Sequence, residues 1–388
     1  MHMLNFDFYN PTQILFGKGR IADLNKAIPA EAHVLMLYGG GSIKQNGVYD
    51  EVIAALGTRQ VTEFTGIEPN PSYETLMKAV ELIKQNKIDF LLAVGGGSVI
   101  DGTKFIAAAA LFEGDDPWVI MEKRGNNVTK AMPLGSVLTL PATGSEMNNG
   151  GVVTRKSIKA KMAFSSRHCF PQFSVLDPTK TYTLPVRQIG NGAVDAFVHI
   201  MEQYLTYPVN SPVQDRFAEG LLLTLIEEGP KALANPEDYD VRANLVWCAT
   251  MALNGLISTG VPQDWATHMI GHELTALHNI DHAQTLAIVL PSMLRVRKEG
   301  KREKLLQFAE RVWGLHEGDE DSRIETAISR MQDYFEQMGV KTRLSDYQLG
   351  SDDIAPILSA LETHRMVSLG EKRDVTLEVS RQVLELSL

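Results

Sequence analysis

The sequence predicts a two-domain protein in which an α/β domain with a mostly parallel sheet precedes an all-helical domain. Three observations carry this prediction. Short apolar runs ending in glycine alternate with helical patterns through the first half, the alternation stops near Pro185, and beyond it only helical patterns recur. With 388 residues, 44% hydrophobic and 22% charged, the chain is long enough for two cores and has the balance of a soluble globular protein.

In chain order, His33–Tyr38 (HVLMLY) reads as a buried strand running into Gly39-Gly40-Gly41-Ser42. Tyr73–Asn86 has helical spacing, and Asp89–Val94 (DFLLAV) is a further strand ending in Gly95-Gly96-Gly97-Ser98. The alanine-rich Val99–Leu111 reads as a helix. Leu134–Leu140 (LGSVLTL) is a third strand, ending in Pro141-Ala142-Thr143-Gly144-Ser145-Glu146. The two prolines of Pro178–Arg187 mark the domain junction, so residues 1–185 are expected to form the α/β domain and residues 186–388 the helical one. There, Gly192–Leu205, Val213–Ala234, Val241–Ser258, Ala266–His278, Leu305–Trp313 and Ile324–Met338 read as helices. Neither an internal repeat nor a low-complexity tract interrupts them.

The net charge of −10 argues against nucleic acid or an anionic membrane as the main partner. Any phosphate-bearing ligand is then held by local geometry rather than by a basic surface. No apolar run reaches the roughly eighteen residues of a membrane span, and the first residues (MHMLNFDFYNPTQILFGKG) lack the pattern of a signal peptide. Cys169 and Cys248 lie far apart and outside any CxxC spacing. That excludes a disulfide framework, a zinc ribbon and an iron–sulfur cluster, and it fits a reducing compartment. A cytoplasmic protein is expected.

Gly95-Gly96-Gly97-Ser98 stands between a buried strand and a helix, where backbone N–H groups and the helix dipole make an anion site. Glycine there lets a pyrophosphate approach the backbone closely. The loop fails G-x-G-x-x-G because Ile100 occupies the third glycine position. It also misses the P-loop pattern, since Thr103 precedes Lys104 and the lysine is one position late. A Gly-rich turn can be only a turn, but two such loops at successive strand ends favour a ligand at the carboxyl edge of the sheet. The loop Gly39-Gly40-Gly41-Ser42 has no acid before Asp50 to hold a ribose 2′-hydroxyl. Glycines with Ser42 and Lys44 would admit a 2′-phosphate, which favours NADP(H) over NAD(H).

Four of the ten histidines fall between His268 and His282. Asp195 and His199 are spaced i, i+4 in an apolar segment, so a helix places them on one face able to grip one ion. His268 and His272 repeat the spacing, and His282 follows a short break. A lone helical histidine is more often a packing residue, and an Asp in an apolar stretch can cap a helix. Two histidine-bearing faces in one domain favour a shared site for zinc or ferrous iron. A metalloprotease reading fails both ways: H-E-x-x-H needs histidine at Ala276, and H-x-x-E-H needs glutamate at Gly271.

The segments ILFGKG (14–19), AVGGGSVIDGTKFIAAA (93–109), TLPATGSE (139–146), NGAVDAFVH (191–199) and GVPQDWATHMIGHELTALHNIDHAQTLAIVLP (260–291) carry a resemblance over nearly the whole chain. The sequence resembles the iron-containing (group III) alcohol dehydrogenases, and within them the NADPH-dependent aldehyde reductase and butanol dehydrogenase branch. The resemblance implies a Rossmann-like domain followed by an all-α metal-binding domain, the dehydroquinate synthase-like fold. It implies one divalent metal, Fe²⁺ or Zn²⁺, on Asp195, His199, His268 and His282. It places His272 near nicotinamide and substrate, as a proton relay or as a positioning residue without a proton role. It carries the pyrophosphate onto Gly95, Gly96, Gly97 and Ser98, with Asp101 beside the nicotinamide end, and adds Asn70, Thr139, Thr143 and Lys161 as cofactor contacts. Gly40 aligns where NAD-preferring relatives are acidic, so Gly39, Gly40 and Ser42 join the expected NADP(H) site. Short-chain aldehydes and primary alcohols are the implied substrates, and a homodimer the implied assembly. One departure is Gly190, where a small aliphatic residue is common; it is expected to loosen the start of the Asp195 helix. The competing class is a metal-dependent non-redox enzyme on the same fold, which would need a basic pocket; Arg216, Lys231 and Arg242 are scattered instead.

Overall fold

The structure, a computed structural model, describes residues 1–388. Its strands are β1 (Gln13–Phe16), β2 (His33–Leu37), β3 (Gln60–Phe64), β4 (Phe90–Gly96), β5 (Leu134–Leu140), β6 (Gly150–Arg155), β7 (Ala160–Ser165) and β8 (Phe173–Leu176). The first six helices are α1 (Leu24–Ala27), α2 (Ser42–Gln45), α3 (Val48–Leu56), α4 (Tyr73–Asn86), α5 (Gly97–Ala109) and α6 (Val119–Glu122). Nine more follow: α7 (Val186–Tyr204), α8 (Pro212–Ala234), α9 (Tyr239–Ala252), α10 (Ala266–His278), α11 (His282–Val296), α12 (Lys298–Arg311), α13 (Glu320–Gln337), α14 (Ser351–Thr363) and α15 (Leu377–Leu386).

The chain divides into two compact units. One holds Tyr9–Leu184 with Glu237–Thr250, the other Met1–Phe8, Pro185–Pro236 and Met251–Leu388. The first is built on a parallel sheet of order β1-β8-β5-β4-β2-β3. Alternate residues of its inner strands enter two cores. Leu35, Leu37, Leu91 and Ala93 pack with Leu76, Ile100 and Phe105, while Val34, Met36, Leu92 and Val94 pack with Leu24, Val48 and Val52. A strand covered on both faces reads as a continuous apolar run, which is why β2, β4 and β5 are conspicuous in the sequence. The chain leaves β2 for β3 on one side and reaches β4 on the other. The carboxyl ends of β2 and β4 therefore flank a topological switch point, where ligands of open α/β sheets bind.

Five strands were not among those expected. β1 and β8 have four residues each, β3 is a half-exposed edge strand, and β6 and β7 form a separate antiparallel hairpin. None offers a run long or regular enough to stand out.

The main boundary, Leu184/Pro185, lies one residue from the expected cut, but each unit also takes a segment from the other side of it. Glu237–Thr250 belongs with the sheet: Trp247 sets its ring edge-on to Phe16 at 5.9 Å, Val246 enters the sheet core, and Arg242 Nε donates to Thr181 Oγ1 at 2.9 Å. Residues 1–8 belong with the helices, where Leu4 N–H donates to the Gly260 carbonyl at 2.8 Å.

In the helical unit, α7 is the central element: every residue from Gly192 to Tyr204 is buried. A helix buried on all sides must be surrounded, and α8 and α11 pack against it. It starts at Val186, six residues before the expected Gly192, and runs through Gly190 without a break. A Cβ on Gly190 would collide with the Met338 carbonyl oxygen at the end of α13. Gly190 thus permits a close helix crossing and does not loosen the helix start. Helix α9 ends at Ala252, short of the expected Ser258, because Asn254 Oδ1 accepts Leu256 N–H in a turn and Gly255 takes φ +92°.

Candidate active site

Two groups of expected site residues assemble, one in each unit. In the α/β unit, strand β4 passes into α5 with no intervening residue, and no side chain caps the first turn of α5. That first turn presents backbone N–H groups suited to an anion. None of Gly95, Gly96 and Gly97 has a positive φ. Their need for glycine is steric: a Cβ on Gly95 would lie 2.6 Å from Val99 Cγ2, one on Gly96 3.0 Å from Leu140 Cβ, and one on Gly97 would strike the Thr143 side chain. The strand end, the helix start and the Thr139–Thr143 segment therefore pack backbone against side chain, with Ser98, Thr139 and Thr143 half-buried beside them.

Asp101 follows on α5. Its Oδ1 accepts Ser145 Oγ–H at 2.5 Å and its Oδ2 accepts Val152 N–H at 2.9 Å, which ties α5 to hairpin β6–β7. Burial pushes the Asp101 carboxyl upward, opposed by the Lys104 charge and those two hydrogen bonds. Lys104, one place late for a P-loop, is fully buried and donates to Ser145 Oγ, Asn148 Oδ1 and the Gly150 carbonyl at 2.8–2.9 Å. Burial pushes it down to about 8, against the pull of Asp101. Its ammonium braces the loop after β5 and does not serve a phosphate. Asn70, at φ +57°, accepts from Lys161 Nζ at 2.8 Å, so these two expected contacts meet.

At the end of β2, Gly39 is half-buried, and Gly40 and Ser42 are exposed. No atom lies within 4 Å of where a Cβ on Gly40 would sit. The sequence reading found no acid in this loop, but folding brings one near from β3. Glu63 accepts Tyr38 Oη–H at 2.6 Å and Tyr49 Oη–H at 2.5 Å, and lies 3.3 Å from Lys44 Nζ. Burial would raise the Glu63 carboxyl, but these three partners hold it below the usual range. Lys44 is engaged by Glu63 and by the Tyr49 ring at 4.7 Å, so its charge is already spoken for beside the loop.

In the helical unit, Asp195, His199, His268 and His282 converge, with one ligand atom from each within 4.8 Å of the others. Asp195 Oδ1 is 3.4 Å from His199 Nε2 and 3.6 Å from His282 Nε2. The first three residues are buried and His282 is half-buried. Helix α7 supplies Asp195 and His199 from one face. Helix α10 ends at His278 and is capped by Asn279 in the left-handed conformation, and three residues after that cap α11 begins with His282. Asp281 between them is held by Arg187 Nη1 at 2.8 Å and Asn191 Nδ2 at 3.0 Å, both from the first turns of α7. Gly271 lets α10 and α11 approach, since a Cβ there would lie 2.7 Å from Thr285 Oγ1.

The donor set fits a divalent cation. A carboxylate and three imidazoles in a buried pocket of α7, α10 and α11 are the ligand types zinc and ferrous iron accept. A buried carboxylate is costly to keep unless a charge partner compensates it. His272 is buried beside this group, its ring 5.6 Å from that of His282, but it is outside the converging atoms. Sequence reasoning missed Glu202, three residues after His199 on the same helix face. It hydrogen-bonds His268 Nδ1 and accepts Thr267 N–H at 2.8 Å. Burial and the neighbouring Asp264 charge push the Glu202 carboxyl well above the usual range in the absence of a cation. The basic residues weighed for a phosphorylated substrate are committed elsewhere. Arg216 lies 3.6 Å from Glu219, Lys231 lies 2.8 Å from Glu228, and Arg242 serves the α/β unit. No helix is long and apolar enough to cross a membrane.

The iron-containing alcohol dehydrogenase family model matches residues 11–178, and the model of the family's C-terminal part matches residues 190–381. The chain is 61% identical to the NADPH-dependent aldehyde reductase YqhD of Escherichia coli over 99% of each protein. It is 42% identical to the probable NADH-dependent butanol dehydrogenase 1 of Bacillus subtilis over 92% of each. Its fold superposes on the crystal structure of Escherichia coli K-12 YqhD with a TM-score of 0.99 over the full length of both chains, at 60% identity. With one family covering both the sheet that carries the glycine loops and the helices that carry the Asp–His cluster, the chain belongs to the iron-containing alcohol dehydrogenases.

Proposed function

We propose that this protein interconverts short-chain aldehydes and primary alcohols, acting chiefly as an NADP(H)-dependent aldehyde reductase with one divalent cation. The observation that carries this reading is the buried convergence of Asp195, His199, His268 and His282 in a chain of this family. Those four residues would hold the cation, Fe²⁺ or Zn²⁺. When bound, the cation supplies polarisation of a carbonyl oxygen and the nicotinamide supplies a hydride.

The chain's own residues do the rest. The first turn of α5 and Gly95–Ser98 bind a pyrophosphate through backbone N–H groups, with Thr139, Thr143, Asn70, Lys161 and Asp101 ordering the loops around it. Gly39, Gly40 and Ser42 leave room for a 2′-phosphate, and the openness at Gly40 supports NADP(H). Relatives named for NADP and for NADH both occur at 42% identity, so membership of the family does not by itself choose the cofactor, and this reading assigns the choice to this loop. His272, buried with its ring 5.6 Å from that of His282, is assigned the passage of a proton to the oxygen of the reduced substrate. Orientation without proton transfer is the other role open to it, and the pH profile of His272→Gln separates the two.

The test is NADPH or NADH oxidation at 340 nm with butyraldehyde, using metal-stripped protein reloaded with zinc or iron. Activity restored by metal, with NADPH well above NADH, is the expected result. No oxidation under any metal would overturn the redox reading, and an NADH preference would overturn the cofactor alone. His268→Ala should abolish turnover through loss of the cation. A cytoplasmic homodimer, the assembly implied by the sequence resemblance, goes with this reading; light scattering of purified protein tests the assembly.

A further inference from the structure

We propose that Glu202 is a positioning residue of the cation site, holding His268 in the tautomer whose Nε2 meets the ion. The inference rests on the cation reading of Asp195, His199, His268 and His282.

Asp195, His199 and Glu202 fall at i, i+4 and i+7 of α7, one continuous helix face. The first two enter the cluster, while Glu202 turns its carboxylate to the start of α10. One oxygen, Oε2, contacts His268 Nδ1. The other, Oε1, accepts the backbone N–H of Thr267 at 2.8 Å and of His268 at 3.3 Å. The carboxylate is thus pinned by two backbone donors of the first turn of α10, which also need acceptors there. The segments are joined again where Asp264 N–H donates to the Glu202 carbonyl at 2.8 Å. The Asp264 carboxylate is separately paired with Lys301 at 2.8 Å and does not compete for His268.

A cation at the cluster favours the charged form of Glu202, as do the two backbone N–H groups donating to Oε1, and an ionised carboxylate can only accept. Its contact with Nδ1 therefore requires hydrogen on Nδ1 and leaves Nε2 with the lone pair that a cation needs. The Trp265 ring, edge-on at 5.2 Å, flanks the same imidazole and limits its rotation. A carboxylate behind a ligating histidine fixes its orientation and raises its basicity, and losing such a partner weakens metal affinity about 10–100-fold. Helix α7 then contributes three groups to the site: two ligands, and the residue that readies a third ligand on another helix.

The substitution Glu202→Gln keeps shape and volume but offers an N–H₂ group that can donate to Nδ1 and favour the other tautomer. Zinc affinity is measured by competition with a chromophoric chelator, and the visible spectrum is recorded with cobalt(II) in place of zinc. We expect the zinc dissociation constant of the variant to rise about 10–100-fold, with shifted cobalt bands and an unchanged far-ultraviolet circular dichroism spectrum. A constant within about threefold of wild type and an identical cobalt spectrum would overturn the proposal. Should the variant fail to fold, ¹⁵N-histidine spectra of zinc-loaded wild type decide it: hydrogen on Nδ1 of His268 supports the assignment, and hydrogen on Nε2 overturns it. Wild type that binds no zinc, iron or cobalt refutes the cation reading itself. Wild type that binds metal no better than Glu202→Gln refutes only the role given to Glu202.

Discussion

Gly40 has nothing within 4 Å of a Cβ position and no positive φ, so an aspartate fits there without strain. Its effect would be electrostatic, a carboxylate facing the place proposed for a 2′-phosphate, in a loop where Glu63 is already masked by two tyrosines and Lys44. Gly40→Asp is expected to lower the ratio of kcat/KM for NADPH over NADH by about tenfold or more, equivalent to ~1.4 kcal/mol. Steady-state kinetics with both cofactors measures it, and an unchanged ratio would remove Gly40 from the cofactor site. Glu68 makes a pH-dependent case. Burial works against its charge, but hydrogen bonds from its own backbone, Lys156, Thr75 and Ser72 outweigh that and bring it down to about 2, from 4.5. Because the folded-state value is depressed, the stabilisation is full above pH 4.5 and fades as pH falls toward 2. Glu68 anchors the turn that presents Asn70 and the Ser72 cap of α4. Glu68→Gln is therefore expected to cost about 1 kcal/mol at pH 6, after allowance for its partial exposure. Urea titrations of both proteins should converge as pH drops from 6 to 3; a gap that stays constant would contradict the assignment.

Helix α7 shows how an element can contradict its own propensities. Alanine in place of a helical glycine ordinarily stabilises by about 0.5–1 kcal/mol. At Gly190 the added methyl meets the Met338 backbone carbonyl, which cannot rotate away as a side-chain tip could. Overpacking of this kind costs about 1–3 kcal/mol, so Gly190→Ala should lower the melting temperature of metal-free protein. A rise would mean that the end of α13 yields easily. The same collision explains why the sequence misjudged this glycine: its reason lies 148 positions away, at Met338. Elements with local causes were readable. β2, β4 and β5 are buried on both faces and appear as apolar runs, and α4 and α10 were located to the residue by periodicity. β3 was not, since an edge strand such as QVTEF has no apolar run to display. The assignment of α9 to the sheet was invisible as well, because it depends on Trp247 meeting Phe16 and Arg242 meeting Thr181. At the site, the i, i+4 pairs marked Asp195, His199 and His268, which the fold brings together with His282, while His272, the other member of the second pair, lies outside the converging atoms. Glu202 carried a signal that went unread, a carboxylate at i+3 from His199 in a stretch otherwise apolar. The engagement of Lys44 by Glu63 carried none, because only strand pairing makes them neighbours.

At the scale of the whole molecule, the two units have separate cores, and all four proposed ligands belong to the helical one. A cation there ties α7 to the α10–α11 pair, about sixty residues further along the chain, and adds to the apolar packing and to the hydrogen bonds of Glu202 and Asp281 that already join them. Binding that favours the folded state stabilises by RT ln(1 + [L]/Kd), or about 2.7 kcal/mol at a hundredfold excess over Kd. Stability in a protein of two units is not a single number, so the gain should be unevenly distributed. Hydrogen exchange on metal-stripped and zinc-reloaded protein is expected to show slowed amides in α7, α10 and α11, with little change in β2 and β4. Thermal unfolding should show a transition that moves upward with zinc concentration. Equal protection across the sheet and the helices would mean that the ion stabilises the protein as one cooperative body. Unchanged exchange everywhere, despite bound zinc, would place the ion outside this cluster and remove Asp195, His199, His268 and His282 as its ligands.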